Sequence, residues 1–143
     1  MVIPGKIGDK VITKIGDRAF YGCMGLTEVK LPANLTTIDE DAFYGCTGLT
    51  SLDLSGCTSL TTIGKYTFYG CTGLTSIDLS GCTSLTTIGN EAFSYCTGLN
   101  EVKLPASLTT IGEDAFYDCK GLTSLDLSGC TSLTTIGPHS RCP

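Results

Sequence analysis

Apolar residues recur along the chain at a nearly fixed period, and an isoleucine marks the start of each unit. Successive marker isoleucines are 23 or 25 residues apart. They are Ile15, Ile38, Ile63, Ile88, Ile111 and Ile136. In the first five units, a phenylalanine, a cysteine and several leucines follow at matching offsets. A repeat this short cannot bury its apolar face alone, so the units must stack into a solenoid with a continuous core.

Within one unit, the pattern changes from strand-like to turn-like. Residues 51–54, Ser-Leu-Asp-Leu, alternate polar and apolar side chains, which is typical of a half-buried strand. Residues 40–46 predict a short helical turn whose leading acidic residues suit the helix dipole. A glycine then stands where a left-handed cap is expected. These glycines are Gly25, Gly48, Gly73, Gly98 and Gly121.

The repeat pattern predicts an α/β repeat fold. We expect a right-handed solenoid with one parallel β-sheet along one face and short helical turns on the opposite face. Residues 60–63 predict a second extended segment in the same unit. The chain divides into an N-terminal half repeat at 1–14, five repeats of 23 or 25 residues at 15–135, and a truncated or irregular repeat at 136–143. The last repeat is irregular because Arg141 stands where phenylalanine is due.

Two stretches of the repeat resemble a known family. The spacing L-x-x-L-x-L-x-x-C-x-x-L from Leu49 to Leu60 resembles the general leucine-rich repeat. The run Ile-Gly-Glu-Asp-Ala-Phe-Tyr-Asp-Cys from Ile111, with Leu122 after it, resembles the BspA-like class, also called the Treponema type. The resemblance extends from about Ile3 to Ile136. It implies a leucine-rich-repeat solenoid, and surface display on bacteria or protozoa with adhesion to host proteins or other cells.

Composition narrows the possible partners. The formal net charge is −5, which argues against nucleic acid because affinity for phosphates comes largely from basic residues. No window is apolar enough to predict membrane insertion. No secretory signal precedes the repeats. A location at the cell surface, or secretion, is therefore an expectation from the resemblance alone.

The cysteines and the single histidine predict neither a metal site nor a catalytic site. Nine cysteines are an odd number for a disulfide framework, and no C-x-x-C pair suggests zinc. Eight fall in the repeat columns, where we expect reduced, buried ladders, because free cysteine behaves as a small apolar residue. Cys142 lies outside the columns and is expected to be exposed. His139 lies in the irregular C-terminal tail among proline and serine, where we interpret it as a solvated residue, so the sequence predicts no enzyme and no cofactor.

The outward positions of the predicted strands form the first candidate binding surface. Strands lie roughly 4.8 Å apart, so these positions make two polar rows across the sheet. Lys30 should neighbour Asp53, and Lys103 should lie between Asp78 and Asp126. Asp53 beside Asp78 leaves unbalanced negative charge that suits a cation or a basic ligand group; the alternative is an ordinary solvated surface. The candidate residues are Glu28, Lys30, Asp53, Asp78, Glu101, Lys103 and Asp126.

A row of tyrosines forms the second candidate surface, on the helical-turn face. Each follows the buried phenylalanine of its unit, and Ser94 interrupts the row. Tyrosine suits interfaces because it combines an apolar ring with a polar hydroxyl. The alternative is that each ring packs on its neighbour and covers the core. The row consists of Tyr21, Tyr44, Tyr69 and Tyr117.

These patterns favour a non-catalytic protein-interaction or adhesion module with an extended surface. One alternative is a structural spacer or a fragment of a larger surface repeat protein. A consensus-like repeat design also fits, because residues 47–64 and 72–89 are nearly identical. A hydrolase on a β-helix is the least favoured alternative. The partner is expected to be a protein. Residues 138–143 are too few to cover the last core, so we expect either a frayed last unit or an end-to-end homodimer through the C-terminal repeat.

Overall fold

A computed structural model describes residues 1–140 as a β-solenoid of about 5 turns. Each turn contributes two short strands to the stack, apart from the irregular turns near the two ends. The strands are β1 Lys6–Ile7, β2 Lys10–Val11, β3 Lys14–Ile15, β4 Glu28–Lys30, β5 Thr37–Ile38, β6 Ser51–Asp53, β7 Thr62–Ile63, β8 Ser76–Asp78, β9 Thr87–Ile88, β10 Glu101–Lys103, β11 Thr110–Ile111 and β12 Thr135–Ile136.

The marker isoleucines form the most regular part of the solenoid. A six-stranded parallel sheet has the order β12-β11-β9-β7-β5-β3, and its register pairs each isoleucine with the next. The predicted stacking of the six isoleucines is therefore confirmed. Ile38, Ile63 and Ile88 are completely buried, while Ile136 is 53% exposed in the last strand. β-Branched residues suit these strands because their side chains pack well on a pleated surface.

Threonine side chains reinforce the same sheet. The hydroxyl of Thr61 donates to the carbonyl oxygen of Thr36 at 3.0 Å, and the hydroxyl of Thr36 donates in the same way to Thr13. Thr86, Thr109 and Thr134 continue the series. Each of these threonine hydroxyls thus donates to the backbone of the preceding coil.

The Ser-Leu-Asp segments do not form the single sheet that the sequence predicts. β4 pairs with β6 and β8 pairs with β10, both in parallel, but no ladder joins β6 to β8 among residues 1–140. The continuous sheet is formed instead by the Thr-Ile segments of β5, β7, β9, β11 and β12, together with β3. We refer to it as the Thr-Ile sheet. At the N-terminal end, β1 and β2 form a small antiparallel pair.

The prediction of short helical turns is wrong, since residues 1–140 contain no helix. The segments that follow the isoleucines are chains of tight turns. An α-helix needs each amide to donate to the carbonyl four residues earlier. Here the amides of Phe43 and Gly45 donate to the next coil, to Thr67 and Tyr69 at 2.9 and 2.8 Å. Only Tyr44, between them, donates back within its own turn, to Asp41.

The left-handed residues also lie elsewhere than predicted. Gly48 and its equivalents do not have positive φ; Gly45, three residues earlier, has a φ of 67°. The acidic residues face no helix dipole, because the described part of the chain, residues 1–140, contains no helix. A further row of residues instead adopts left-handed φ values between 50° and 58°. These residues are Arg18, Asp41, Tyr66, Glu91, Asp114 and His139.

Five phenylalanines form the centre of the core. Neighbouring rings are stacked nearly parallel, with centroids 5.1–5.4 Å apart. Phe43, Phe68, Phe93 and Phe116 are completely buried, and Phe20 in the first coil is partly covered. The inward leucines, isoleucines and cysteines surround this stack, so each column of the repeat becomes one ladder through the core.

Close approach of the coils requires glycine at four of these positions, which are Gly48, Gly73, Gly98 and Gly121. A β-carbon at Gly73 would lie 2.7 Å from the carbonyl oxygen of Thr47, whereas one at Gly56 would meet no atom within 4 Å. Gly73→Ala should therefore lower the free energy of unfolding by about 1–3 kcal/mol. The matched Gly56→Ala should change it by less than about 0.5 kcal/mol. Urea denaturation measures both; equal effects would show that the coil contact at Gly73 is unimportant.

Candidate interaction surfaces

The cysteine columns point into the core and offer no ligand site. The Sγ atoms of Cys46, Cys71 and Cys96 donate to carbonyl oxygens of the preceding coil at 3.1–3.2 Å. All the column cysteines are buried except Cys23, which is half-buried, so the predicted burial is confirmed. No group of three or more metal-binding side chains exists within residues 1–140. Cys142 lies outside the described residues.

Burial changes the acidity of these thiols. Loss of solvation raises the pKa of Cys46 and Cys82 to about 11 and that of Cys71 to about 12. The thiolate is the reactive form of cysteine. Cys46, Cys71 and Cys82 are therefore unreactive packing residues at neutral pH.

The outward strand residues lie in the rows that the sequence predicts. Lys30 is in register with Asp53, and Lys103 with Asp78. Ser51 and Ser76 occupy the outer positions beside them. Asp126 departs from the prediction, because residues 124–126 form no strand and have no register with β10. The ammonium group of Lys103 lies 3.7 Å from Glu101, within its own strand.

Each aspartate in this row is held by the serine two residues after it. The Oδ1 atom of Asp53 accepts from the amide of Ser55 at 2.9 Å and from its hydroxyl at 2.6 Å. The carboxylate of Asp78 accepts from the amide and hydroxyl of Ser80. These hydrogen bonds lower the pKa of both aspartates, with a smaller contribution from the facing lysines. Both carboxylates are thus fixed and negatively charged at neutral pH.

An open gap lies between β6 and β8, where the two aspartates are neighbours. A cavity of about 410 Å³ lies there, lined by Leu52, Leu54, Asp53, Asp78 and the turn residues after them. The bonded pairs β4-β6 and β8-β10 each set a lysine against an aspartate. Like charges directly opposite each other destabilise strand pairing. The gap therefore coincides with the one junction in this row at which two carboxylates face each other.

The tyrosines form a continuous row on the turn side of the solenoid. Tyr21, Tyr44 and Tyr69 stack face to face, with centroids 4.9 and 4.7 Å apart. Tyr95 continues the row at 5.2 Å from Tyr69, and Tyr117 lies 5.6 Å further on. Tyr21, Tyr95 and Tyr117 are 50%, 38% and 43% exposed. Tyr44 and Tyr69 are partly covered by their neighbours.

Tyr95 is the residue that the column pattern missed. In this unit Ser-Tyr replaces the Tyr-Gly of the first three units, so that Ser94 occupies the usual tyrosine position and Tyr95 the left-handed glycine position. Ser94 is buried and its hydroxyl donates to the carbonyl oxygen of Asp114. Tyr95, with a φ of 59°, turns outward into the tyrosine row. The sequence does contain a signal for this change: in Phe-Ser-Tyr-Cys the tyrosine stands one position later than in the other units.

The left-handed residues form a second row beside the tyrosines. The Nε atom of Arg18 lies 3.3 Å from Oδ2 of Asp41, and its guanidinium carbon lies 5.6 Å from the centre of the Tyr21 ring. At the other end, Nδ1 of His139 lies 3.5 Å from Oδ1 of Asp114. In the middle, hydrogen bonding to Glu91 and its negative charge raise the pKa of Tyr66.

Stacked coils with leucine columns and parallel strands define a leucine-rich-repeat solenoid. No curated protein sequence matches this chain. The family described as the BspA type leucine rich repeat region matches residues 6–123 and 61–140, in six copies. The chain belongs to this family.

Solved structures of similar proteins agree with the fold. A leucine rich repeat protein of T. pallidum is 27% identical, with a TM-score of 0.59 over 95% of this chain and 67% of its own length. A leucine rich cell surface protein of Faecalibacterium prausnitzii is 29% identical, with a TM-score of 0.56 over 96% of this chain and 47% of its own. The pneumococcal vaccine antigen PcpA is 24% identical, with a TM-score of 0.72 over 99% of this chain and 37% of its own. The last likeness concerns the fold alone.

The chain therefore spans from 37% to 67% of the length of these three proteins. Among residues 1–140 there is no helix with the length and apolar character that crossing a bilayer requires.

The buried thiols predict how stability depends on pH. In the folded protein Cys71 keeps its proton up to about 12, whereas its ordinary pKa is 9.0. The unfolded chain ionises first, so the contribution of Cys71 is complete below about 9 and is lost as pH rises from 9 toward 12. In Cys71→Ala the free energy of unfolding should therefore fall less steeply over this range. Urea denaturation at a series of pH values measures the slope; identical slopes would contradict the prediction.

Proposed function

We propose that this chain is a non-catalytic protein-interaction module of the adhesion type, which binds partners through the outer surface of its solenoid. The observation that carries the proposal is the exposed tyrosine row. Its rings are fixed by stacking, and three of them are 38–50% exposed. Rigid aromatic side chains are enriched at binding hot spots because they bury a large area at low entropic cost.

The tyrosine row also distinguishes a binding module from a spacer. A stiff spacer needs only a polar outer face, and the Thr-Ile sheet already provides one. Five tyrosines in one row add exposed apolar surface that stacking alone does not require. Exposed apolar patches on soluble proteins mark interaction sites more often than scattered apolar residues do.

The strand face remains a second candidate surface within the same proposal. Asp53 and Asp78 are fixed and charged beside the cavity between β6 and β8. Such a site suits a basic group of a partner. The candidate residues there are Glu28, Lys30, Asp53, Asp78, Glu101, Lys103 and Asp126; those of the turn face are Tyr21, Tyr44, Tyr69 and Tyr117, to which we add Tyr95.

The proposed location is the outer surface of a cell. Support comes from the family and from the similar protein of Faecalibacterium prausnitzii, which is described as a cell surface protein. The partner would then be an extracellular protein or a protein on another cell.

Binding measurements separate the module from the spacer. The folded chain is immobilised and tested by biolayer interferometry against purified extracellular proteins and against a glycan array, with the urea-unfolded chain as the control. We expect saturable binding of at least one protein by the folded chain only. If the chain is only a spacer, neither the extracellular proteins nor the glycan array should show saturable binding, and that result would overturn the proposal.

Self-association is a separate proposal, favoured by the exposed C-terminal edge. Strand β12 has one neighbour in the sheet among residues 1–140, and Ile136 is 53% exposed. We expect the mean mass in light scattering to rise with concentration, because end-to-end contact would bury Ile136. Ile136→Lys should abolish the rise, whereas Ile7→Lys at the other end, where Ile7 is 62% exposed, should not. A constant monomer mass for the unchanged chain would refute this dimer.

A further inference from the structure

We propose that the turn face is a docking surface for a basic, arginine-rich segment of a partner protein. The turn face consists of residues 16–24, 39–47, 64–72, 89–97 and 112–120, which include the tyrosine row. This inference rests on the proposed function and names the surface and the chemistry of the partner. It is carried by charge, by aromatic geometry and by a contact within the chain itself.

The net charge of the protein is concentrated on this face. The turn face contains eight acidic and three basic residues, and therefore has a formal charge of −5. The remainder of the chain contains six acidic and six basic residues. The formal charge of these residues thus equals that of the whole chain, and Lys14, which lies outside these ranges, forms an ion pair with one of them, Asp39, at 2.8 Å. A field of one sign attracts a partner segment of the opposite sign and speeds its association.

Carboxylates lie close to the tyrosine hydroxyls in the middle of the face. A hydrogen bond to Glu91 raises the pKa of Tyr66, and the charges of Glu91, Asp41 and Glu40 add to this effect. Burial raises the pKa of Tyr44, with smaller contributions from neighbours that include Asp41 and Glu91. Glu40 is exposed, and Glu91 is partly exposed. The middle of the face therefore combines aromatic rings with carboxylates that a partner can reach.

Arg18 shows how a guanidinium fits this surface. It is held between the carboxylate of Asp41, at 3.3 Å, and the ring of Tyr21, at 5.6 Å from the centroid. Asp41 and Tyr21 are members of the two rows that run along the whole turn face. In the later coils the position of Arg18 is occupied by Tyr66, Glu91 and Asp114. Those coils offer the same residue types without an internal arginine.

Arginine suits the surface better than lysine. The guanidinium is planar, stacks on aromatic rings and is less strongly hydrated than an ammonium group. Tyr95 and Tyr117 are tilted relative to their neighbours, with interplanar angles of 53° and 69°. The ring faces there are not fully covered by stacking, so they remain open to a guanidinium from a partner.

The test measures binding of a fluorescent nine-residue arginine peptide by anisotropy, beside a nine-residue lysine peptide of equal charge. Glu40→Gln/Glu91→Gln should weaken binding of the arginine peptide by about tenfold in physiological salt, because two carboxylate contacts are lost. The matched control is Thr62→Lys/Thr110→Lys, which changes the net charge equally on the Thr-Ile sheet. Lys14 already occupies that row, in register with Thr37. The control should change affinity by less than about twofold, because screening limits distant charges.

The tyrosines are tested by their effect on selectivity. Tyr95→Ser/Tyr117→Ser should reduce the preference for the arginine peptide over the lysine peptide, and thermal unfolding verifies that each variant is folded. Equal weakening by the glutamate and threonine pairs would show that only net charge matters and would overturn the inference. An unchanged arginine preference in the tyrosine variant would overturn it as well. If a protein partner binds but is unaffected by Glu40→Gln/Glu91→Gln, the inference fails while the proposed function stands.

Discussion

Neighbouring coils of this solenoid lie so close together that a β-carbon does not fit between them at several positions. One at Gly64 would lie 2.8 Å from the carbonyl carbon of Asp39, and one at Gly89 would lie 2.7 Å from that of Gly64. These separations are well below ordinary carbon contacts of about 3.5–4.0 Å. Glycine therefore allows the coils to approach to roughly 4.8 Å, where their strands form hydrogen bonds. The ladders of the structure depend on this approach.

The fixed register places every side chain over its equivalent in the next coil, and the result depends on the type of residue. Phenylalanines stack at 5.1–5.4 Å, and each threonine hydroxyl bonds the threonine carbonyl before it. Carboxylates stacked in this way repel each other, so the register does not stabilise them. The junction between Asp53 and Asp78 has no strand pairing, whereas strands that set Lys30 against Asp53 are paired. Charge is not the whole cause, because residues 124–126, where Asp126 would face Lys103, are also unpaired.

The sequence predicted the columns of this fold better than it predicted the backbone between them. The isoleucine stack and the buried cysteines follow directly from spacing and hydrophobicity, since a repeated apolar position must face a repeated core. The turns could not be predicted in the same way. Residues such as Phe43 donate their amides to the next coil, and a contact between coils leaves no signal within one unit. Gly73 was predicted to be a helix cap because the sequence alone does not distinguish a glycine that allows close approach of two coils from one that adopts a positive φ.

The candidate surfaces show a related limit. Register alone placed Lys30 beside Asp53 correctly, but Asp126 has no strand partner. The tyrosine row was predicted with a break at Ser94, and the structure closes the break with Tyr95. Column spacing assumes one backbone path for all units. Tyr95 adopts a left-handed conformation at a position where other units have glycine. Its side chain therefore lies in the tyrosine row, although the column spacing assigns that place to Ser94.

The distribution of charge links this architecture to binding. On the strand face, opposite charges face each other in the paired strands, which is what the fold itself favours. On the turn face, Glu91 and Asp114 occupy equivalent positions of neighbouring coils, and the hydrogen bond from the amide of Glu91 to the carbonyl of Glu113 is still made at 2.8 Å. The backbone there tolerates like charges, yet their repulsion contributes no stability to the fold. Asp39 and Asp41 are paired with Lys14 and Arg18. Glu40 and Glu91 remain accessible beside the tyrosines, and they are the carboxylates that the proposed basic partner would bind.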